Sequence, residues 1–478
     1  MYQPPCPVRG PPHGAASVSA QTIAGAAVRS RRAAQPLPLP RAYAWIGPRD
    51  IWLAIAGVGA VIAAMWLRHG GLERDPLTAV GEVTALAGTY AALLGVLFAS
   101  RTPWLDQVLG TDRLRAVHRI LGFVAVWAIA GHAVFSTLAY AGGAVDQVLP
   151  TLVSLVATVP GMLGAVVAMG LFVLVAVTSV RAARRRLSYE SWHGIHLYVY
   201  LAVAFGFLHQ LSIGQDFVTD PLASWTWIGL YVAAFAPLIF HRIAWPIAMT
   251  IRHRPRVQRI EPAANGVFSL YVDGRDLDRL AVRSGQFFVV RALTATDWMH
   301  GHPFSISAAP NGRTLRFTIK EFGEGTRAFR ALRPGTPLLL EGPYGAMHGE
   351  RRTGRRLLFV AGGIGIAPIR AMVEAFAYRS GEADLVYRAS SLDDAALRDE
   401  LLLLAEHRGL RLHLLVGRRG DWGVGRDPLG PKALARLVPD AADRDIYLCG
   451  PNGLMERARR SLVTLGADPA RVQLELFG

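Results

Sequence analysis

The chain has 478 residues, of which 52% are hydrophobic, and carries a formal net charge of +16. Its two cysteines exclude a disulfide framework and any zinc or iron–sulfur centre built on several cysteine ligands. The basic excess would suit a nucleic-acid partner in a soluble protein. Here, however, the arginines lie beside apolar runs and no aromatic-interleaved basic stripe occurs, which favours an anionic membrane surface and predicts no nucleic-acid partner.

Residues 1–45 are rich in proline, alanine and arginine and contain no apolar core. They lack the short hydrophobic region and small-residue cleavage site of a signal peptide. The composition predicts a disordered cytoplasmic arm.

Residues 46–252 contain long apolar runs, each near the roughly 20 residues that cross a bilayer. The runs fall at about 50–67, 77–99, 114–138, 159–180, 193–212 and 225–249. They predict a six-helix transmembrane bundle, a multi-pass protein of the cell (plasma) membrane. Arginines cluster at one set of helix ends, whereas the other set carries only Arg68 and Arg74, so the amino terminus and the second half of the chain are predicted to be cytoplasmic.

The third and fifth runs carry histidines at matching depths: His118 and His132 in the third, and His196 and His209 in the fifth. Facing histidines at one depth are natural axial ligands of a haem iron, so two b-type haems are predicted, one per leaflet. Fourteen residues separate the first two, which gives roughly 21 Å and close to four helical turns. Thirteen residues, about 3.6 turns, fit the second pair less well, and His193 is an alternative inner ligand. Hydrogen-bonded histidines without iron, or a proton relay, are the other interpretations.

After residue 252 short alternating strands predict an antiparallel β-barrel over residues 253–352. Strands alternating with helices then predict a parallel α/β nucleotide-binding domain over residues 353–478. In "HPFSISAAP" small hydroxyl residues alternate with apolar ones, so Ser305 or Ser307 could bond the polar edge of a flavin ring. An ordinary strand is the competing interpretation.

Two loops of the second domain point to a dinucleotide. Gly362, Gly363 and Gly365 follow a buried strand, where glycines let the backbone approach a pyrophosphate at a helix N-terminus. Cys449 and Gly450 end another strand, at the edge where open parallel sheets bind ligands. The thiol could lie against a nicotinamide ring, or it could be a buried small residue.

In this order the motifs resemble those of ferric reductases and NADPH oxidases, in which a ferric-reductase-type transmembrane domain precedes a ferredoxin-NADP reductase-like module. The resemblance covers residues 50–478 and favours His196 over His193. It implies that FAD and NAD(P)H are bound and that Cys449 and Phe477 are catalytic, with Phe477 covering the flavin until nicotinamide displaces it. The cofactor-binding residues that the resemblance implies are His302, Pro303, Phe304 and Ser305 of "HPFS", Gly325 and Thr326 of "FGEGT", Gly362, Gly363, Gly365 and Pro368 of "GGIGIAP", and Gly450 and Pro451 of "CGP".

Many members of this superfamily have arginine where His302 stands, although the oxidase-like branch often has histidine. Arg388 and Ser390 follow the "ADLVY" strand and are positioned to meet a 2′-phosphate, which favours NADPH over NADH.

The combined prediction is a flavohaem oxidoreductase that moves electrons from cytoplasmic NAD(P)H through FAD and two haems to a small acceptor on the outer face. The acceptor is a ferric chelate or similar, with superoxide production from dioxygen as the alternative. A haem-carrying membrane anchor or sensor is the non-enzymatic alternative. The sequence indicates no partner protein.

Overall fold

The computed structural model describes residues 21–23, 46–295, 297–417 and 427–477. These residues divide into two compact units: a helical unit that ends at Met249 and includes Tyr344–Ala346, and an α/β unit formed by the rest. Of the predicted arm, residues 1–45, the structure describes only Gln21–Ile23, whose backbone forms a short strand. The prediction of a disordered arm therefore falls mostly on residues outside the described ones.

Six helices among the described residues are long and apolar enough to cross a membrane, as predicted. They are Pro48–Arg68, Pro76–Ala99, Arg113–Tyr140, Met162–Ser179, Ser191–Ile213 and Pro221–His253. The shorter apolar stretch Val145–Thr158, before the fourth span, was not predicted. The helices of this part of the chain are α1 (Pro48–Arg68), α2 (Pro76–Ala99), α3 (Pro103–Leu109), α4 (Thr111–Tyr140), α5 (Val148–Thr158), α6 (Met162–Ser179), α7 (Arg181–Arg184), α8 (Tyr189–Ile213), α9 (Gln215–Thr219), α10 (Pro221–Ile239) and α11 (Trp245–His253), with a π-helical turn, Phe240–Ala244, between the last two.

Local sequence fixes where several of these helices begin. Proline lies in the first turn of α2 and α10, where its missing N–H is no loss. Asp75 caps α2 by accepting the backbone N–H groups of Leu77 at 3.0 Å and Thr78 at 3.2 Å. Asp220 caps α10 in the same way, through the N–H of Leu222 at 2.8 Å.

A row of glycines lets α2 and α4 approach each other closely. Gly81, Gly88 and Gly95 recur every seven residues along α2. A Cβ atom on Gly88 would lie 2.8 Å from Cγ1 of Ile129, and one on Gly81 would lie 2.6 Å from Oγ of Ser136. Small residues of this kind are the usual means of close helix packing in membranes. The backbone carbonyls of α2 are thereby brought within reach of α4 side chains.

The α/β unit contains two kinds of sheet. Its strands are β1 (Gln21–Ile23), β2 (Arg256–Ala264), β3 (Val267–Asp273), β4 (Phe287–Ala292), β5 (His302–Ser305), β6 (Thr314–Lys320), β7 (Leu338–Tyr344), β8 (Leu357–Gly362), β9 (Ala383–Ala389), β10 (Arg411–Val416), β11 (Asp445–Pro451) and β12 (Val472–Phe477). Its helices are α12 (Gly323–Arg330), α13 (Ile366–Ala375), α14 (Arg398–Arg408), α15 (Pro431–Leu437) and α16 (Asn452–Thr464).

The first kind is antiparallel and small. Strands β2, β3 and β6 form one three-stranded sheet, and β5, β4 and β7 form another. Isolated bridges, Ile306 with Phe317 and Arg256 with Pro337, link the two. A single closed barrel, as predicted for residues 253–352, is therefore not confirmed.

The second kind is a six-stranded sheet in the order β1-β10-β9-β8-β11-β12. Strands β8 to β12 are mutually parallel, which confirms the predicted α/β domain, and β1 pairs antiparallel with β10 at the edge. Along the chain, β9 is added beside β8 and β10 beside β9, after which β11 is added on the other side of β8. The strand order therefore reverses between β8 and β11, and in open α/β sheets ligands bind at the carboxyl ends of such a pair.

Candidate functional site

The two histidines of α4 are held by glycine carbonyls of α2. Nδ1 of His118 lies 3.0 Å from the carbonyl oxygen of Gly95, and Nδ1 of His132 lies 3.0 Å from that of Gly81. Because a carbonyl only accepts, each imidazole must donate its Nδ1–H, which leaves Nε2 as the basic nitrogen. This is the arrangement that outer-shell partners impose on metal-ligating histidines.

The inner pair of histidines faces each other across the bundle. The ring centroids of His118 and His196 lie 6.1 Å apart. Two metal–nitrogen bonds of about 2 Å, added to the distance from each ring centre to its nitrogen, come to about 6 Å. The Nδ1 atom of His196 is buried without a hydrogen-bond partner among the described residues. The pair therefore fits a single iron between the two rings.

Aromatic packing, rather than a hydrogen bond, orients His196. The ring of Trp192 stacks on it with centroids 5.1 Å apart and planes 23° apart. The guanidinium carbon of Arg184 lies 4.6 Å from the Trp192 ring centre, within cation–π range. The alternative ligand His193 lies on the same indole, at 6.4 Å. His196 is in ring contact with His118, and the choice of His196 over His193 as a ligand stays a prediction.

The predicted partner of His132 is His209 of α8. Nδ1 of His209 is buried and has no hydrogen-bond partner in the described part of the chain. A neighbouring polar group fixes this end of α8. The Gln210 side chain accepts from Nε1 of Trp227 at 2.7 Å and from the Tyr231 hydroxyl at 3.0 Å, and donates to Oγ1 of Thr89 at 3.0 Å.

No group of three or more His, Cys, Asp or Glu side chains that could hold a bare metal ion occurs in residues 46–295, 297–417 and 427–477. Ligation by pairs, as in a haem with two axial ligands, needs no such group.

In the α/β unit, the predicted flavin strand β5 begins with residues that form an aromatic cluster with α12. His302 stacks on Phe304 with centroids 6.0 Å apart, and Phe329 of α12 meets both rings edge-on at 5.5 and 5.1 Å. A Cβ atom on Gly325 would lie 2.4 Å from Cε1 of His302. The structure thus brings together two segments, "HPFS" and "FGEGT", that the sequence assigned to one cofactor.

The two serines of this segment have different surroundings. Ser307 is fully buried, and its Oγ accepts from Thr318 Oγ1 at 2.7 Å and from Arg316 Nε at 3.0 Å. The Ser307 hydroxyl also donates to the Arg316 carbonyl oxygen at 3.3 Å, so both its acceptor sites and its donor are already used in hydrogen bonds. Oγ of Ser305 is buried with no partner among the described residues. Of the two predicted hydroxyls, Ser305 is the one free to bond a ligand.

Thr326 lies in the first turn of α12. Its hydroxyl accepts the backbone N–H of Phe322 at 2.6 Å. Gly323, the first residue of α12, has a φ of +81°, and a Cβ atom built there would meet no atom within 4 Å. At Gly323 the turn therefore leaves backbone open on the Cβ side, next to the exposed side chain of Phe322.

The glycine loop and the "CGP" loop meet at the switch between β8 and β11. A Cβ atom on Gly365 would lie 2.2 Å from the Cys449 carbonyl oxygen. Gly450 has a φ of +152°, and a Cβ atom there would lie 3.0 Å from the backbone nitrogen of Gly362. Gly363, at φ +54°, faces open space. Pro368 is buried in the first turn of α13. The glycines therefore allow both the loop contact and close approach of a ligand.

Cys449 is fully buried in β11 beside Ala361 of β8 and Glu475 of β12. Burial, together with the neighbouring Glu475 carboxylate, raises the pKa of the Cys449 thiol well above its ordinary value. The thiol is thus a neutral group at the carboxyl end of the central strands. Glu475 was not predicted, although its place in the final strand, two residues before Phe477, was visible in the alternation of that strand.

The remaining predicted residues lie around the same edge. The backbone of Phe477 pairs with Pro451, one residue beyond the Gly450–Leu476 pair; its side chain lies outside the described structure. Arg388 ends near the carboxyl edge of β9 and donates to the Gly417 carbonyl at 3.2 Å, and Ser390 is exposed just beyond it.

Comparison with known proteins identifies both halves of the chain. Residues 84–207 match the ferric reductase like transmembrane component, and residues 359–460 match the oxidoreductase NAD-binding domain. The protein therefore joins a ferric-reductase-like membrane domain to an NAD-binding oxidoreductase module, and the predicted fusion is confirmed.

Curated relatives match less than half of the chain. A flavohemoprotein of Chromobacterium violaceum is 32% identical over 247 residues, which cover 47% of this chain and 60% of that protein. The glycine betaine monooxygenase reductase subunit of Pseudomonas aeruginosa is 30% identical over 185 residues, 37% of this chain and 50% of that protein. The match thus spans only about half the length of these relatives.

Among solved structures, the flavohem-like FAD/NAD binding domain of nitric oxide dioxygenase from Vibrio cholerae aligns with a TM-score of 0.40 and 21% identity. The alignment covers 47% of this chain and 98% of that one.

Proposed function

We propose that the protein is a transmembrane flavohaem oxidoreductase that delivers electrons from NAD(P)H, through FAD and two b-type haems, to an acceptor on the opposite side of the membrane. When bound, FAD accepts a pair of electrons and releases them singly, and the haems carry single electrons through the hydrocarbon layer. The observation that supports this most is the inner histidine pair, whose ring centroids lie 6.1 Å apart and in which the Gly95 carbonyl fixes the His118 tautomer that exposes Nε2.

The histidines have distinct tasks in this proposal. His118 and His196 would hold the inner haem, and His132 and His209 the outer one. Gly95 and Gly81 keep the α4 imidazoles in the tautomer that exposes Nε2.

In the α/β unit, "HPFS" and the α12 turn would hold FAD on the two antiparallel sheets, which would act together as the predicted barrel. Ser305 would bond the polar edge of the flavin. Gly362, Gly363 and Gly365 would cradle the pyrophosphate of NAD(P)H, and Arg388 with Ser390 would meet a 2′-phosphate, which makes NADPH the preferred donor.

Cys449 and Phe477 would border the nicotinamide. The neutral, buried thiol supports a packing role beside the ring rather than a nucleophilic one, because the thiolate is the reactive form. The register of Phe477 against Pro451 supports its place as the aromatic that covers the flavin.

The α/β unit and the amino terminus would lie in the cytoplasm. The arginine-rich helix ends support this orientation. Arg68 and Arg74, the exceptions at the other ends, are each paired with carboxylates: Arg68 with Asp220, and Arg74 with Glu82 and, at 2.6 Å, with Asp216.

The terminal acceptor would be a ferric chelate or a similar small molecule. The same ion pairs favour a second candidate, dioxygen reduced to superoxide. An anionic chelate is attracted by unpaired positive charge, whereas the two arginines at these helix ends are already neutralised by carboxylates.

Reconstituted protein with both haems and FAD, supplied with NADPH, tests these alternatives. Ferric-chelate reduction faster than superoxide production supports a reductase, and the reverse supports an oxidase. If FAD and haem are present but NADPH reduces neither, the protein is instead a haem-carrying anchor or sensor and the proposed function is wrong.

A further inference from the structure

An ionic network of two buried arginines and two glutamates, whose side chains are 35% and 34% exposed, joins the segment after the flavin strand to the helix after the glycine loop. Arg316 of β6 is only 6% exposed and donates through Nη1 to both carboxylate oxygens of Glu400, at 2.8 and 2.9 Å. Glu400 lies on α14, so this bifurcated contact connects the antiparallel sheets to the α/β domain.

Arg370 of α13 completes the network. It is 8% exposed, its Nε lies 2.8 Å from the second Glu400 oxygen, and it pairs with Glu374 one turn further along the helix. Glu400 therefore lies against two buried guanidinium groups at once, and together with Glu374 it balances their two charges.

Both arginines converge on the backbone beyond β5. Nη2 of Arg316 donates to the Ser307 carbonyl at 2.6 Å, and Nη1 of Arg370 approaches the same oxygen at 3.4 Å. Glu374 accepts the N–H of Ala309 at 2.6 Å. The chain two to four residues after Ser305 is thus tied to α13, and α13 begins immediately after Gly365.

The charges of this network explain why it fixes the position of the Ser307–Ala309 segment relative to α13. A buried ion pair contributes little net stability compared with an apolar contact of the same shape, but it fixes geometry because each partner is poorly tolerated without the other. Without the Glu400 charge, two buried guanidinium groups would remain near one carbonyl with only Glu374 to balance them. The segment Ser307–Ala309 and α13 would then separate or rotate to admit water.

We propose that Glu400, with Arg316 and Arg370, is a positioning device that fixes the flavin strand relative to the nucleotide-binding loop, and so fixes the distance between the flavin and the nicotinamide. These residues touch neither cofactor; they act through Ser307 and α13. The inference rests on the proposed function, in which hydride passes from NADPH to FAD with both electrons, leaving NADP⁺ and reduced flavin.

The test compares full-length, FAD-loaded wild type with Glu400→Gln and Glu400→Asp. Glu406→Gln is the matched control, because Glu406 is an exposed glutamate on the same helix. Rapid mixing with NADPH measures the flavin-reduction rate. NADP⁺ titration measures the dissociation constant, and the long-wavelength charge-transfer absorbance reports contact between nicotinamide and flavin.

We expect Glu400→Gln to slow flavin reduction by at least about tenfold and to weaken the charge-transfer absorbance, since small misplacements of reacting groups are costly. The NADP⁺ dissociation constant and FAD content should stay within about twofold of wild type, and Glu400→Asp, which retains the charge, should recover part of the rate.

An unchanged reduction rate in Glu400→Gln would overturn the inference. So would loss of FAD or of the fold in Glu400→Gln but not in Glu406→Gln, because the network would then support the domain rather than position the cofactors. If wild-type FAD is not reduced by NADPH, the proposed function fails instead, and the two failures are distinguishable.

Discussion

His118 and Gly95 form a hydrogen bond of 3.0 Å between α4 and α2, and fourteen residues away in each helix His132 and Gly81 form its counterpart at the same length. The antiparallel helices thus repeat one histidine–carbonyl unit at two depths. This repeat is the basis of the proposed two-haem pathway.

Removing one outer ligand should remove one haem. In His132→Leu we expect the haem-to-FAD ratio to fall from about two to about one, with flavin reduction by NADPH preserved and delivery to the outer acceptor lost. Pyridine-haemochrome and flavin assays on purified protein give the ratio. Two haems retained in His132→Leu would show that His132 is not a ligand.

The choice between His193 and His196 can be decided in the same way. His196→Leu should lose the inner haem, because the His196 ring lies 6.1 Å from His118. His193→Leu, a change of the same size three residues away, should retain both haems. The opposite pattern would assign the inner ligand to His193.

The two serines after His302 should respond differently. Of the two serines, Ser305 has the unpartnered hydroxyl, and Ser305→Ala removes it. We expect NADPH-driven flavin reduction to slow by about tenfold with FAD retained, the loss of roughly one hydrogen bond. Ser307→Ala instead breaks contacts with Arg316 and Thr318 and should lower the melting temperature. A slower flavin reduction in Ser307→Ala alone would reverse the assignment.

The buried thiol gives a pH dependence. Because the pKa of Cys449 is raised by burial and by Glu475, the folded protein should hold this proton at pH values where an exposed cysteine has lost it. The contribution to stability is present below the unfolded pKa and is lost as the pH rises above it. In a Cys6→Ser background, alkylation by iodoacetamide at pH 8.5 should therefore require unfolding, and rapid labelling of the folded protein would contradict this.

Truncating the terminal aromatic tests the nicotinamide site. Phe477→Ala should change the ratio of kcat/KM for NADPH and NADH, because nicotinamide would no longer have to displace a ring from the flavin. Steady-state assays with both nucleotides measure this ratio. Unaltered kinetics would remove Phe477 from the site.

The sequence predicted the elements whose signals are local. Apolar run length predicted the six spans, and the histidine spacing predicted His118 and His132 on one face of α4. Backbone partners could not be predicted, since a carbonyl such as that of Gly95 carries no side-chain signal. The seven-residue repeat of Gly81, Gly88 and Gly95 was nonetheless visible, and it marks the helix that supplies those carbonyls.

Alternation along a strand likewise identified Ser305 and Ser307 as a pair but could not separate them. The distinction depends on Arg316 and Thr318, which come from a different strand and occupy only Ser307. For the same reason the charge network centred on Glu400 could not be predicted: its members lie on β6, α13 and α14 and meet only in the folded unit.

Anaerobic mixing of purified protein with NADPH, followed by absorbance spectroscopy, tests the central claim most directly. The account predicts about two haems per FAD, flavin bleaching first, and then reduction of both haems. Flavin that is reduced while the haems stay oxidised, or protein that binds no haem at its four histidines, would contradict it.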